Sequence, residues 1–361
     1  MTDSETSAML SNSNFLRACR REPVDWTPVW IMRQAGRYMK EYRDLREKVS
    51  FLEMCKRPEL AAEVTLMPIA ALGVDAAILF ADILLIVEPT GVGLTFAQGE
   101  GPSIGRPVRS AGDVRRLQEV EPAESLAFVF EAARLTRANL PGHVPLIGFA
   151  GAPFTVASYM IEGGGSRDYL HTKSLMYRDA GAWHALMRLI SRGLVKYLNG
   201  QIAAGAQAVQ LFDSWVGALS PGDYSEFVQP HTRSVIAGLT PGVPVIHFGT
   251  GTATLLELMR EAGGDVIGLD WRVELDEAWR RIGYDRAVQG NLDPIVLLAD
   301  PAEIRRRAKE ILNRAGGRPG HIFNLGHGIM RQTPVDHARA LVDAVHESSS
   351  RPAGPEARCD P

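Results

Sequence analysis

The sequence predicts an α/β protein: a single-domain (β/α)8 TIM-type barrel with its active site at the carboxyl-terminal ends of the strands. Eight short apolar segments alternate with segments of helical periodicity. This alternation implies parallel strands joined by crossover helices, in either a barrel or a doubly wound sheet. The count of eight favours the barrel. So do the polar and glycine residues that follow many strands, because barrel strand ends converge on one mouth.

The predicted strands are bounded by turn residues. They span residues 28–32, 75–80, 144–149, 207–212, 243–247, 265–269, 286–289 and 321–325. Residues that could face the mouth come at or just after their ends: Arg33, Asp82, Gly148–Gly151, Asp213, Ser214, His247, Asp270, Asn291, Gly326 and His327.

The helices between these strands are indicated by apolar spacing and by their ends. Leu186, Leu189, Ile190 and Leu194 share one helical face. Three helix starts, at 220–223, 300–303 and 333–336, repeat the order of polar cap, proline, any residue and acid. Gly316-Gly317 is expected to end the helix opened at 300.

No break in composition marks a second domain, so residues 11–347 are predicted to form one barrel domain. The polar or proline-rich residues 1–10 and 348–361 are predicted to be disordered tails. The glycine run 163–165 suits either a mobile flap or a simple turn, and the sequence leaves both readings open.

Composition narrows the classes of partner. A net charge of -3 gives no reason to expect nucleic acid or an anionic membrane surface, and no apolar run is long enough to span a bilayer. Three distant cysteines suit a reducing compartment, and no secretory signal is visible, so we expect a cytoplasmic protein. No cluster of His, Cys, Asp or Glu has metal-ligand spacing, so no metal is expected.

The segment Arg33-Gln34-Ala35-Gly36-Arg37 is the strongest local signal. It places two guanidinium groups at the end of the first predicted strand. Two arginine forks separated by a glycine suit a clamp for a small molecule with several anionic groups. The alternative is a pair of surface arginines bonded to nearby acids such as Glu41 or Asp44.

Four more residues at strand ends are candidates. Asp82 interrupts an apolar run, where burial would raise its pKa; the alternative is an aspartate that caps a backbone N–H, which the two arginines at the same mouth argue against. Tyr159 could present its hydroxyl to the cavity or pack internally. Ser214 lacks a nucleophile-elbow pattern and is interpreted as a hydrogen-bond donor. His327 lies between two glycines, which suggests close approach of a ligand to the backbone, although a core histidine is the ordinary alternative.

These residues, in this order, resemble the uroporphyrinogen decarboxylase family from about Asn14 to about His346. The matching segments are PVWIMRQAGRYMKEYR (28–43), ILFADIL (78–84), GAPFTVASYMIEGGG (151–165), LFDS (211–214) and NLGHGIMRQTP (324–334). Two departures flank matched residues: Met330-Arg331 stands where the family often has Leu-Pro, and Trp215 stands where some members have histidine.

The resemblance implies a (β/α)8 barrel that forms a homodimer and converts the four acetates of uroporphyrinogen to methyls without a cofactor. It implies catalytic roles for Asp82, Arg33 and Arg37 and substrate contacts from residues 33–37, Asp82, Tyr159, Ser214 and His327. The proton donor stays open among an arginine, water, His327 and Tyr159. Two other functions also stay open: a related barrel methyltransferase that acts on a corrinoid or thiol, and a non-catalytic tetrapyrrole-binding protein.

Overall fold

Seven parallel strands form the central sheet of the computed structural model, which describes residues 8–97 and 101–351. Each of these strands pairs with the next strand of the same sheet along the chain. The strands are β1 (Ala77–Ile78), β4 (Leu146–Gly151), β5 (Ala208–Asp213), β6 (Val245–Gly249), β7 (Val266–Gly268), β8 (Ala287–Gln289) and β9 (His321–Ile322). A separate antiparallel pair, β2 (Leu94–Ala97) and β3 (Gly101–Ile104), was not predicted.

The first predicted strand, 28–32, closes the barrel with only a few hydrogen bonds. Val29 makes an isolated parallel bridge with Phe323, beyond β9. On its other side, the Val29 carbonyl accepts from the backbone N–H of Asp75 at 2.8 Å, just before β1. This segment therefore joins the two edges of the sheet, as the predicted barrel requires.

Side chains fill the closed interior. Residues such as Ile147, Ile246 and Phe248 pack there in one apolar cluster. Trp30 Nε1 donates to Gln289 Oε1 at 2.9 Å, and Gln289 Nε2 donates to Gln210 Oε1 at 3.1 Å. These three polar groups come from three separate strand segments, so the network ties the barrel across its interior.

The helices surround this barrel. The α-helices are Asn14–Cys19, Lys40–Lys48, Phe51–Lys56, Pro58–Leu72, Ala111–Arg115, Pro122–Ser125, Ala127–Asn139, Pro153–Glu162, Leu170–Arg178, Ala180–Ala203, Pro221–Asp223, Gln229–Ala237, Leu256–Ala262, Leu275–Ile282, Pro301–Ala315 and Val335–Ser349. Shorter 3₁₀ turns span Leu85–Thr90, Val216–Ala218 and Pro294–Leu298, and a π-helical turn spans Tyr224–Val228. In the part of the chain that is described, no helix is both long and apolar enough to cross a membrane.

Two of the three predicted helix starts have the expected position. Ser220 Oγ accepts from the Asp223 backbone N–H and donates to its carboxylate. Asp300 precedes a first-turn proline, but its side chain makes no cap bond. The third prediction is wrong by one residue: Pro334 is the N-cap, and the buried Thr333 hydroxyl has no hydrogen-bond partner among the described residues. Gly316 ends the helix opened at 300, as predicted, with φ 63°.

The predicted tails fall largely outside the description. Residues 1–7 and 352–361 lie outside the described residues. Residues 8–11 are helical, and the last helix continues to Ser349. Gly163 ends the helix Pro153–Glu162 with φ 89°, and its carbonyl accepts from the Ile104 N–H at 2.9 Å, which makes it part of a structured turn.

Candidate active site

The loop after the first strand segment is held in an unusual conformation. The Gln34 N–H donates to the Ile31 carbonyl at 2.8 Å, which closes a turn with Arg33 at its third position. Arg33 has φ 62°, in the left-handed region that glycine or asparagine usually occupies in such a turn. Non-glycine residues persist in this conformation where the surrounding structure enforces it, often at functional sites.

Gln34 supplies that enforcement. Its side chain is fully buried. Its Oε1 accepts from the Ile31 N–H at 3.0 Å, and its Nε2 donates to the Ala76 carbonyl at 3.1 Å. The Tyr38 hydroxyl donates to the Gln34 carbonyl at 2.6 Å. The amide of Gln34 is therefore engaged within the protein, where it holds the loop that carries Arg33 and Arg37.

Both arginine side chains are exposed. Among the described residues, neither guanidinium of Arg33 and Arg37 forms an ion pair or a side-chain hydrogen bond. The alternative partner Asp44 is bonded to Lys40 instead, at 2.5 Å. The geometry therefore favours two guanidinium groups open to an anionic ligand over two surface arginines paired with local acids.

Asp82 lies just beyond β1, partly buried. Burial raises its pKa to about 6, while the Leu84 N–H, which donates to its Oδ1 at 2.9 Å, and the positive charge of Arg33 act in the opposite direction. The backbone bond that the alternative interpretation expected is thus present. It uses one oxygen, so the carboxylate both caps its own loop and carries charge into the site beside Arg33.

Tyr159 projects from the helix after β4. Its ring stacks on Trp215 with centroids 3.8 Å apart and an interplanar angle of 26°. The Tyr169 ring contacts Trp215 edge-on, with centroids 5.4 Å apart. Burial raises the pKa of Tyr159 to about 12; Asp82 adds to the rise and Arg33 opposes it. The hydroxyl therefore stays protonated at neutral pH and is available as a donor.

Ser214 is half-buried in the turn directly after β5. The preceding Asp213 is fully buried, and its Oδ1 accepts from Thr155 Oγ1 at 2.7 Å. Thr155 Oγ1 in turn accepts from the Trp215 N–H at 3.3 Å. Burial raises the pKa of Asp213 to about 7, opposed by its Thr155 bond. This network fixes the turn that presents Ser214 and Trp215. Sequence reasoning noted Asp213 at the strand end but did not select it as a site residue.

His327 lies between two close-packed glycines. A Cβ on Gly326 would lie 2.9 Å from the Asp270 carbonyl carbon, and a Cβ on Gly328 would lie 2.8 Å from Arg33 Cγ. The His327 pKa is lowered to about 4, mainly by burial and also by the charges of Arg33 and Arg272, with Asp270 opposing. The imidazole is therefore neutral at physiological pH and can both donate and accept.

The structure brings four of the predicted residues into one electrostatic neighbourhood: Arg33, Asp82, Tyr159 and His327. Ser214 joins them through its neighbour Trp215, whereas Arg37 lies further along the loop, where its charge acts on Tyr42. These residues lie just beyond the carboxyl ends of the strands.

His247 was expected at the mouth, and that expectation is wrong. It lies within β6, where its neighbours Ile246 and Phe248 point into the barrel, so the alternation of a strand sends His247 outward into a fully buried position.

Comparison with known proteins identifies the family of this chain. Residues 10–348 match the family model described as uroporphyrinogen decarboxylase (URO-D). A uroporphyrinogen decarboxylase from Carboxydothermus hydrogenoformans is 60% identical over 340 residues, 94% of this chain and 97% of its own. One from Sorangium cellulosum is 62% identical over 336 residues, 93% and 96% of the two chains.

Solved structures agree on the fold. A methyltransferase from Methanosarcina mazei superposes with a TM-score of 0.75 at 22% identity, covering 92% of this chain and 97% of its own. At that identity the likeness concerns the barrel alone. The two relatives, at 60% and 62% identity over nearly their whole length, carry the assignment. The chain belongs to the uroporphyrinogen decarboxylase family.

Proposed function

We propose that the barrel domain, residues 11–347, is a carboxy-lyase that converts uroporphyrinogen III to coproporphyrinogen III and four CO2 in tetrapyrrole biosynthesis. The observation that carries this proposal is a partly buried Asp82 at the barrel mouth, close enough to the exposed Arg33 for its positive charge to lower the carboxyl pKa. The substrate has eight carboxylates and a macrocycle of electron-rich pyrroles, so it needs exposed cations at its rim and an anion near its ring nitrogens.

The substrate supplies its own electron sink. Protonation of a pyrrole carbon makes the ring cationic. The bond between the acetate methylene and its carboxyl carbon then breaks, its electron pair moves into the ring, and CO2 leaves. The methylene carbon takes a proton and becomes a methyl group, and the ring carbon releases the proton that it first accepted, which restores the pyrrole. One proton is consumed overall for each acetate, and the chemistry is complete without a cofactor.

The site residues follow from this chemistry. The ionised Asp82 stabilises the cationic ring and accepts the pyrrole N–H groups, because a fixed charge in a partly dry site interacts strongly with developing charge. Arg33 and Arg37 bind substrate carboxylates, with Gln34, Ala35 and Gly36 forming the loop between them. Tyr159, Ser214 and His327 complete the contacts as neutral hydrogen-bonding groups.

We also infer a homodimer with facing active-site clefts and a cytoplasmic location, as the family resemblance implies. Light scattering coupled to size exclusion would measure the dimer directly: a mass of one chain, 39.4 kDa, would contradict it.

The reaction is tested by anaerobic incubation with uroporphyrinogen III, without added metal or cofactor, followed by oxidation and separation of the porphyrins by carboxylate number. Wild type should yield seven- to four-carboxylate products. Asp82→Asn should be slower by about 10²-fold or more, as expected when a preorganised charge is removed. Asp285→Asn, which changes an acid bonded to Arg260, is the control and should match wild type.

Two results would contradict the proposal in different ways. Unchanged substrate in wild type, with tight binding retained, would indicate a tetrapyrrole carrier. Equal turnover by wild type and Asp82→Asn would leave the reaction in place and disprove the role of Asp82.

A further inference from the structure

The loop after β7 carries an arginine that the family resemblance does not assign. Asp270, Trp271 and Arg272 come one residue after the carboxyl end of β7, on the face of the barrel that holds His327. Asp270 is 1% exposed. Its Oδ2 accepts from the Gly251 N–H at 2.5 Å and from Arg272 Nη1 at 2.6 Å, and its Oδ1 accepts from the Arg272 backbone N–H at 3.0 Å.

Arg272 itself is only partly used by this network. Its side chain is 49% exposed, and its guanidinium carbon lies 4.1 Å from the centre of the Trp271 ring. Asp270 takes one Nη1 bond, and no other bond from this guanidinium is found in the described part of the chain. An arginine has five N–H donors, so the remaining ones are free for a ligand.

The two ends of the 326–328 loop connect Arg272 to the proposed site. Gly326 packs against the backbone of Asp270 and Trp271, and Gly328 packs against the side chain of Arg33. His327 lies between the two glycines, and the positive charges of Arg33 and Arg272 both lower its pKa. The positively charged side chains at the mouth therefore include Arg272 on one side of His327 as well as Arg33 on the other.

The fixed position of Arg272 also indicates binding. Asp270 already accepts two backbone N–H groups, so the loop is fastened without the guanidinium. The carboxylate and the Trp271 ring hold the guanidinium in place, which lowers the entropy lost when a ligand carboxylate arrives.

We propose that Arg272 binds a peripheral carboxylate of the substrate, on the Gly326 side of His327. The inference rests on the proposed function, since it requires a ligand with carboxylates around its rim. It extends the recognition surface from the 33–37 loop to the loop after β7, and assigns Arg272 to substrate binding, with Asp270 as the residue that positions it.

Arg272→Gln tests this binding role by separating KM from kcat. Loss of one charge-assisted hydrogen bond should raise KM for uroporphyrinogen by about tenfold. The turnover number should stay within about twofold, because a rim contact binds the ground state and the transition state about equally. The salt dependence of KM should also weaken, since one fewer ion pair is made. Arg272→Lys, which keeps the charge but not the planar fork, should give an intermediate KM.

Arg318→Gln is the matched control. Arg318 also lies over an aromatic ring, 4.6 Å from the centre of Tyr284, but in the segment before β9, at the opposite end of the barrel. Its KM should equal that of wild type. Thermal melting of each variant shows whether a change of KM is accompanied by a loss of folding.

The outcomes separate the inference from the proposed function. Turnover by wild type with an unchanged KM in Arg272→Gln would overturn the role of Arg272 alone. A fall in kcat and melting temperature at constant KM would assign Arg272 to the fold and also overturn it. No turnover by wild type would overturn the proposed function and the inference with it.

Discussion

The side chain of Arg33 lies across the α-carbon of Gly328. A Cβ built on Gly328 would be 2.8 Å from Arg33 Cγ and 2.9 Å from its Nε, closer than real Cβ atoms come. The first and last strand segments are neighbours in the barrel, which is why residues so distant in sequence meet. The missing side chain at Gly328 therefore makes room for the arginine.

Gly328→Ala should displace the Arg33 side chain with little effect on folding, because the methyl group meets a flexible side chain and no backbone atom is among its nearest neighbours. We expect KM to rise by about tenfold, the scale of one lost charge-assisted hydrogen bond. Steady-state kinetics and thermal melting measure the two effects. Gly165→Ala is the control, since a Cβ there meets none of the described residues within 4 Å. A KM equal to that of wild type would show that the position of Arg33 is not critical.

The pH dependence of activity should report Asp82. Its pKa is raised to about 6, so kcat/KM should fall as the pH is lowered from 7 to 5 and the carboxylate is protonated. His327, with a pKa of about 4, stays neutral through this range. The slower Asp82→Asn variant should show no fall of kcat/KM between pH 7 and 5. The same fall in the variant would assign the titration to another group.

The free energy of unfolding should depend on pH through the titration of Asp213. Its pKa is raised by burial from 3.8 to about 7, so between these values the folded state holds more protons than the unfolded chain. The contribution of Asp213 to the free energy of unfolding therefore falls as the pH rises from 4 to 7. Four histidines with pKa values lowered to about 4 act in the opposite direction: His231, His247, His321 and His327.

Because these effects oppose each other, the informative quantity is a difference between variants. The free energy of unfolding of Asp213→Asn minus that of wild type should increase from pH 4 to 7 and then level off. Urea titrations at several pH values measure it. A flat difference would mean that Asp213 titrates near its ordinary value.

Trp215 should act on catalysis through Tyr159. The two rings are stacked at 3.8 Å, so Trp215→Ala removes the surface that orients the tyrosine. We expect kcat to fall by about tenfold, within the range for a misplaced catalytic contact. A double-mutant cycle with Tyr159→Phe tests the coupling. Trp215→Ala should lower kcat much less when Tyr159 is already replaced by Phe. Equal costs in both backgrounds would give Trp215 a separate role.

The outcome for particular residues shows how far local pattern predicts structure. The seven sheet strands were located from apolar runs between turn residues, because burial in a parallel sheet demands such runs. The hairpin of β2 and β3 was missed, since each strand, Leu94–Ala97 and Gly101–Ile104, is only four residues long and the two pair with each other outside the central sheet. The strand that contains His247 was recognised, yet its end was placed two residues early, which put His247 at the mouth.

By itself, the sequence determined the order of the barrel strands, the barrel and the residues able to take part in the chemistry. Periodicity, caps and residue type act over a few neighbours along the chain, so they can be recognised without the structure. Tertiary structure decided their environment. Burial raised the pKa of Asp82 and Asp213, and the meeting of distant loops placed Arg33 over Gly328 and Arg272 near His327. Desolvation and charge proximity depend on which atoms surround a group in space, and only the folded barrel brings those atoms together.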